Sequence, residues 1–144
     1  MSLYLDTSCL LKLLFPEPET ARVMQLVVTE EHVVVSTLAH LEACSQLHAR
    51  TVGGLLSRPA ARRLVERLDA ILRQAPYELA RTPADVVDDA GAQLRSFPGD
   101  AYCPTLDRLH LAAMQGLDVS RLLTNDDAQA RAARALGFSV LLPR

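Results

Sequence analysis

The chain has 144 residues, of which 49% are apolar and 22% charged, and its formal net charge is −2. A chain of roughly 150 residues buries about 70% of its unfolded surface, so a core forms without disulfide or metal staples. The composition excludes a disordered or collagen-like chain, and the near-neutral total argues against a protein that coats nucleic acid by bulk charge. Cys9, Cys44 and Cys103 cannot all pair within one chain and none forms a CxxC, which fits free thiols in a reducing compartment. The first residues lack the basic region of a signal peptide, and no apolar stretch approaches the ~20 residues of a membrane span. A soluble, cytoplasmic protein without membrane contact is expected.

In chain order, two periodicities alternate. Residues 3–5 form a short apolar run that reads as a buried strand. Leu10, Leu11 and Leu14 repeat at helical spacing until Phe15-Pro16 breaks the pattern. A second helix is expected from about Pro18, with Val23, Leu26 and Val27 on one side. The β-branched residues 33–35 favour a strand, and Ser36 or Thr37 can cap the helix that follows, with Leu38, Leu41 and Leu47 in its stripe. After the break at Gly53-Gly54, an arginine-rich helix is expected over residues 59–73, with Leu64, Val65, Leu68, Ile71 and Leu72 on its apolar face.

Residues 77–79 read as a short strand. Thr82-Pro83-Ala84-Asp85 resembles a helix start, with Thr82 as N-cap and a stripe of Val86, Ala90, Leu94 and Phe97 ending at Phe97-Pro98-Gly99-Asp100. Thr105 can cap a helix carrying Leu106, Leu109, His110 and Ala113 and ending near Gly116. Residues 121–124 read as a strand, Asn125-Asp126 opens a last helix that stops at Gly137, and residues 138–141 form a final strand. No repeat or linker interrupts the chain, so one domain over residues 1–144 is expected. Strands alternating with helices imply a parallel sheet covered on both faces.

Ligands bind beyond the carboxyl ends of the strands in such sheets. Asp6 follows the first strand, Glu42 lies in the helix after the second, Asp107 is in the first turn of a helix, and Asp126 follows the fourth strand. Each Asp alone is equally explained as a helix cap or first-turn acid. Converging, the four would repel: two like charges ~4 Å apart cost about 4 kcal/mol at an effective dielectric near 20. All-oxygen donors then suit a hard cation, Mg²⁺ or Mn²⁺, which can activate water and neutralise charge on a phosphodiester.

Tyr4-Leu5-Asp6-Thr7-Ser8, Ser36-x-Leu38-x-x-x-Glu42, the Leu106–Ala112 segment around Asp107, and Leu123-Thr124-Asn125-Asp126 resemble, in order, the successive motifs of PIN-domain proteins. The short form resembles the VapC-type toxins of bacterial toxin–antitoxin pairs. The resemblance implies a three-layer α/β/α sandwich with a parallel five-stranded sheet, and the activity of a metal-dependent endoribonuclease. It also implies a homodimer and a small VapB-like antitoxin as partner. By motif position, Asp6, Glu42, Asp107 and Asp126 would be the catalytic, metal-binding acids. Thr7, Ser8, Thr124 and Asn125 would orient carboxylates or water. One departure stands out: family members often carry an aromatic shortly after the last motif, and Asp127-Ala128-Gln129-Ala130 has none. Asp127 also competes with Asp126 for its role.

Other readings remain open at this level. His40, Cys44 and His48 share a helix face at zinc-like spacing. No P-loop or G-x-S-x-G elbow is present. Between residues 50 and 73, six arginines stand against Glu66 and Asp69, a local excess of four positive charges. Arg58, Arg62, Arg63 and Arg67 are candidate RNA contacts there, or simply a solvated face. The same fold with a silent site would be an RNA- or antitoxin-binding module, and the same acids would serve a nuclease for structured single-stranded DNA.

Overall fold

A computed structural model of the chain describes residues 1–96 and 101–144. Five strands pair in the order β3-β2-β1-β4-β5. They are β1 (Ser2–Leu5), β2 (His32–Ser36), β3 (Tyr77–Ala80), β4 (Arg121–Leu123) and β5 (Ser139–Leu141). Every pairing is parallel. The helices are α1 (Thr7–Lys12), α2 (Thr20–Val28), α3 (Thr37–Val52), α4 (Arg58–Leu72), α5 (Val86–Ser96), α6 (Thr105–Gly116) and α7 (Asp127–Ala135).

Alternation along the strands divides the core in two. Leu3, Leu5, Val33, Val35 and Leu123 pack with buried residues of α1 to α4 on one face. Tyr4, Val34 and Leu122 pack with Leu111, Ala113 and Met114 of α6 and with Ala132 and Ala133 of α7 on the other. Period-two side chains thus give the three layers expected of a parallel sheet buried on both sides. The strand order changes direction beside β1, which puts the carboxyl ends of β1, β2 and β4 next to one another.

Several helix boundaries differ from the sequence reading for identifiable reasons. Thr82 does not cap α5. Its hydroxyl accepts from Leu38 N–H at 3.0 Å and lies 2.7 Å from the Thr37 hydroxyl, so it fastens the start of α3 instead. Helix α5 consequently begins at Val86. Thr105 is the first residue of α6, preceded by Pro104, which makes no side-chain cap. Ser36 does cap α3, accepting from Ala39 N–H at 3.1 Å. The expected Phe97 stripe position and the stop at Phe97-Pro98-Gly99-Asp100 lie outside the described residues.

Two glycines have distinct tasks. Gly137, with φ +88°, closes α7, its N–H donating to Arg134 O at 2.9 Å. Gly116 does not end α6 through its conformation. It lets Pro83 close in: a Cβ there would sit 2.7 Å from Pro83 Cγ and 2.9 Å from Pro83 Cβ. Helix propensity alone would make Gly116→Ala stabilising by about 1 kcal/mol. Collision with a rigid ring reverses the sign, and a net loss of about 1–2 kcal/mol is expected in urea unfolding. Adding Pro83→Ala to Gly116→Ala should recover most of it; a stabilised single variant would refute this packing.

Candidate active site

The parallel sheet delivers helix N-termini to its carboxyl edge, and acids sit on them. Asp6 leaves β1 as the N-cap of α1, its Oδ1 accepting from Cys9 N–H at 2.9 Å. Its carboxylate also accepts from Ser8 Oγ, 2.9 Å from either oxygen, and from Thr124 Oγ1 at 2.6 Å. Asp126 caps α7 after β4, accepting from Gln129 N–H at 2.8 Å. Its own N–H donates to Thr124 Oγ1 at 3.0 Å. Thr124 therefore joins the two capping acids through a single hydroxyl. Asp107 lies in the first turn of α6, and Glu42 projects from α3.

These four acids line one cavity of about 220 Å³, together with Thr7, Ser8, His110 and Gln129 among others. Glu42 is held by two groups: Thr7 Oγ1 donates to its Oε1 at 3.0 Å, and His110 Nε2 contacts the same oxygen. The other ring nitrogen, Nδ1, is 2.6 Å from Tyr4 Oη, which is 2.7 Å from Ser36 Oγ. Tyr4, Ser36 and His110 are all buried. An ionised Glu42 only accepts, so Nε2 carries a proton toward it, while Nδ1 faces the Tyr4 hydroxyl.

Electrostatics separates the acids. Burial pushes the Asp6 carboxyl up, against hydrogen bonds from Thr124, Cys9 N–H and Ser8 that favour the charge. Burial also raises Asp107, and the adjacent charge of Asp126 adds to it, with smaller pushes from Asp6 and Glu42, bringing it to about 6. Burial raises Glu42 too, but the His110 contact and the Thr7 hydrogen bond outweigh it and hold Glu42 below its ordinary value. Four acids that offer only oxygen donors, with Asp107 burdened by the charge of the others, fit a hard divalent cation. Among the described residues, no three His, Cys, Asp or Glu side chains form a ready-made metal cage.

A family model described as PIN domain matches residues 3–135. The chain belongs to the PIN-domain family. It is 35% identical over 144 residues to Ribonuclease VapC46 of Mycobacterium tuberculosis, an alignment covering 99% of this chain and 98% of that protein. It superposes with TM-score 0.72 on VapBC2 of Rickettsia felis bound to a promoter DNA fragment, at 12% identity, covering 99% of this chain and 98% of the other. With VapC20 of M. tuberculosis, a Sarcin-Ricin loop cleaving toxin, the TM-score is 0.68 at 18% identity, covering 94% and 95%. At these identities the two structures speak for the fold alone.

Within this PIN domain, Thr7, Ser8 and Thr124 each hydrogen-bond a carboxylate of the cavity. Asn125 does not line it; its side-chain oxygen accepts from Arg144 Nε at 3.0 Å. Asp127 is likewise drawn to Arg144, at 2.9 Å, leaving Asp126 as the acid of that pair in the cavity. Arg58, Arg62, Arg63 and Arg67 are exposed on α4 and none lines the acid cavity. Arg67 borders a separate, larger concavity beside Phe15, Met24 and Ile71. His40, part of the zinc-like spacing, contacts Asp69 at 2.7 Å.

His110 is a cavity residue that the sequence reading placed on this helix and within its motif without giving it a role in the acid site. The available signal was its position three residues after Asp107, which puts both on one helix face.

The raised Asp107 gives a pH test. Its pKa is higher in the folded chain than in the unfolded one, so its ionisation costs stability as pH rises through about 4 to 6. In EDTA, Asp107→Asn should raise Tm at pH 7 by about 2 °C, since a half-exposed group is partly screened. The gain should vanish near pH 4, where the wild-type acid is already protonated. Thermal unfolding at both pH values decides; a gain independent of pH would remove the charge argument.

Proposed function

We propose that this chain is a metal-dependent endoribonuclease toxin that hydrolyses RNA phosphodiester bonds and is inhibited by a cognate VapB-like antitoxin in the cytoplasm. The observation that carries the reading is the convergence of Asp6, Glu42, Asp107 and Asp126 on one cavity, with Asp107 pushed to about 6 by burial and its acidic neighbours. The relative named a ribonuclease aligns along nearly the whole chain, and a fold neighbour is described as a toxin that cleaves the Sarcin-Ricin loop. Other neighbours are toxin–antitoxin complexes, which supports an antitoxin partner.

In this reading the four acids hold the cation, directly or through water. Bound there, Mg²⁺ or Mn²⁺ supplies water activation and charge neutralisation at the scissile phosphate. The chain supplies placement. Thr124, Ser8 and the α1 N-terminus fix the Asp6 carboxylate, and His110 with Thr7 fixes Glu42. Asp107 and Asp126, at two further helix N-termini, complete the set. Arg58, Arg62, Arg63 and Arg67 offer exposed charge for RNA phosphates beyond it. With aromatics at only 4% of the chain, contacts rest on backbone and shape more than on base stacking.

Purified protein should cleave RNA with Mg²⁺ or Mn²⁺, and EDTA or Asp6→Asn should each remove at least ~100-fold of that rate. Cleavage insensitive to both would sink the assignment, and preferential cleavage of matched single-stranded DNA would change the substrate. In the same assay, Arg62→Gln with Arg63→Gln should weaken RNA binding and flatten its salt dependence; an unchanged salt slope would remove α4 from the RNA path. A homodimer belongs to this reading as well: Val87, Leu94, Tyr102 and Leu106 are exposed apolar residues near the α5–α6 concavity. Light scattering at tens of micromolar should give twice the 15.7 kDa chain mass, and a monomer there would count against it.

A further inference from the structure

We propose that Gln129 is a positioning residue of the acid cavity, its side-chain amide holding a water molecule of a hydrated divalent cation. The inference rests on the metal reading above and adds a residue outside the acidic set. Gln129 is 0% exposed and lines the cavity with Asp6 and Asp126, yet neither its Oε1 nor its Nε2 has a hydrogen-bond partner. Buried polar groups are nearly always partnered, so an amide empty at both ends marks a missing ligand or water.

Local structure would ordinarily occupy this amide. Gln129 is the third residue of α7, where a glutamine reaches back to the N-cap N–H in a capping box. Here that N–H belongs to Asp126 and already donates to Thr124 Oγ1 at 3.0 Å. The Gln129 backbone N–H is used in turn by Asp126 Oδ1. Thr124 thereby releases the glutamine side chain from capping.

The chemistry of the cavity indicates what the amide receives. Ionised carboxylates only accept hydrogen bonds, so they can satisfy Nε2 but never Oε1. Oε1 requires a donor. A phosphate diester has none, whereas water on a divalent cation is a polarised donor, and the acids are what would hold that cation. A neutral amide also adds no charge to an acidic site and is able to hold water.

The experiment compares Mn²⁺ binding, by calorimetry and by the EPR signal of free Mn²⁺, in wild type, Gln129→Met and Gln129→Glu, alongside Tm in EDTA. Methionine keeps the length and removes both polar ends; glutamate keeps an acceptor. Gln129→Met should leave the metal-free Tm unchanged or raised while weakening Mn²⁺ binding about tenfold. Gln129→Glu should bind Mn²⁺ at least as tightly as wild type. An unchanged Mn²⁺ affinity in Gln129→Met overturns the proposal, as does a Gln129→Glu variant that binds more weakly than wild type. If Gln129→Met does not fold, Gln129→Glu alone decides by the same criterion. A wild-type protein that binds no Mn²⁺ at millimolar concentration instead overturns the metal reading itself, and the Gln129 proposal with it.

Discussion

Burial of carboxylates is the constraint around which the carboxyl edge of this sheet is arranged. A parallel sheet makes the site by bringing β1, β2 and β4 side by side and starting helices at their ends. The same helices relieve part of the charge, because their N-termini carry partial positive charge and free N–H groups. That relief is modest, about 0.3–1 kcal/mol per helix end. The fold therefore tolerates the acids without neutralising them. What remains unmet shows in Asp107 and Asp6, both held above the ordinary carboxylate range by burial and, in Asp107, by the neighbouring acids.

The two halves of the core meet at this edge. Leu3 and Leu5 of β1 face the layer of α1 to α4, while Tyr4 between them faces the layer of α6 and α7. Tyr4 bonds Ser36 at the end of β2 and His110 on α6, and His110 reaches Glu42 on α3. A polar chain thus crosses from one layer to the other where the apolar sheet ends. Burial raises the Tyr4 hydroxyl far above its ordinary range, so it stays neutral and serves as a hydrogen-bonding strut. Through it, the position of Glu42 depends on the packing of a layer to which α3 does not itself belong.

The strands were legible because short β-branched and apolar runs alternate with helical periods, and Asp6 and Asp126 were legible because they fall where such strands end. Helix faces were read less well. Leu41 and Leu106, assigned to apolar stripes, are 65% and 49% exposed, while Ala39 and Ala43, outside the stripe read for α3, are buried. Sequence periodicity cannot distinguish an apolar side chain that packs inward from one left outward, because both satisfy the same spacing over three turns. Asn125 and Asp127 escaped for another reason: their partner, Arg144, is the last residue of the chain and far from them in sequence. Thr82 shows the same limit, since its local context describes a good N-cap and only the fold brings Thr37 and Leu38 to it.

Capping and metal binding were alternatives in the sequence, but the structure makes them compatible. Capping takes Oδ1 of Asp6 and Oδ1 of Asp126, one oxygen each. The four acids then divide by how firmly they are held. Asp6 is fixed by Cys9 N–H, Ser8 and Thr124, and Glu42 by His110 and Thr7. Among the described residues, no hydrogen bond engages the Asp107 carboxylate, and none engages Oδ2 of Asp126. The anchored pair sets the geometry of the cavity, and the unanchored oxygens are the ones left to respond. Asp107, burdened most by the neighbouring charge and restrained least, is where an arriving cation would relieve the greatest strain.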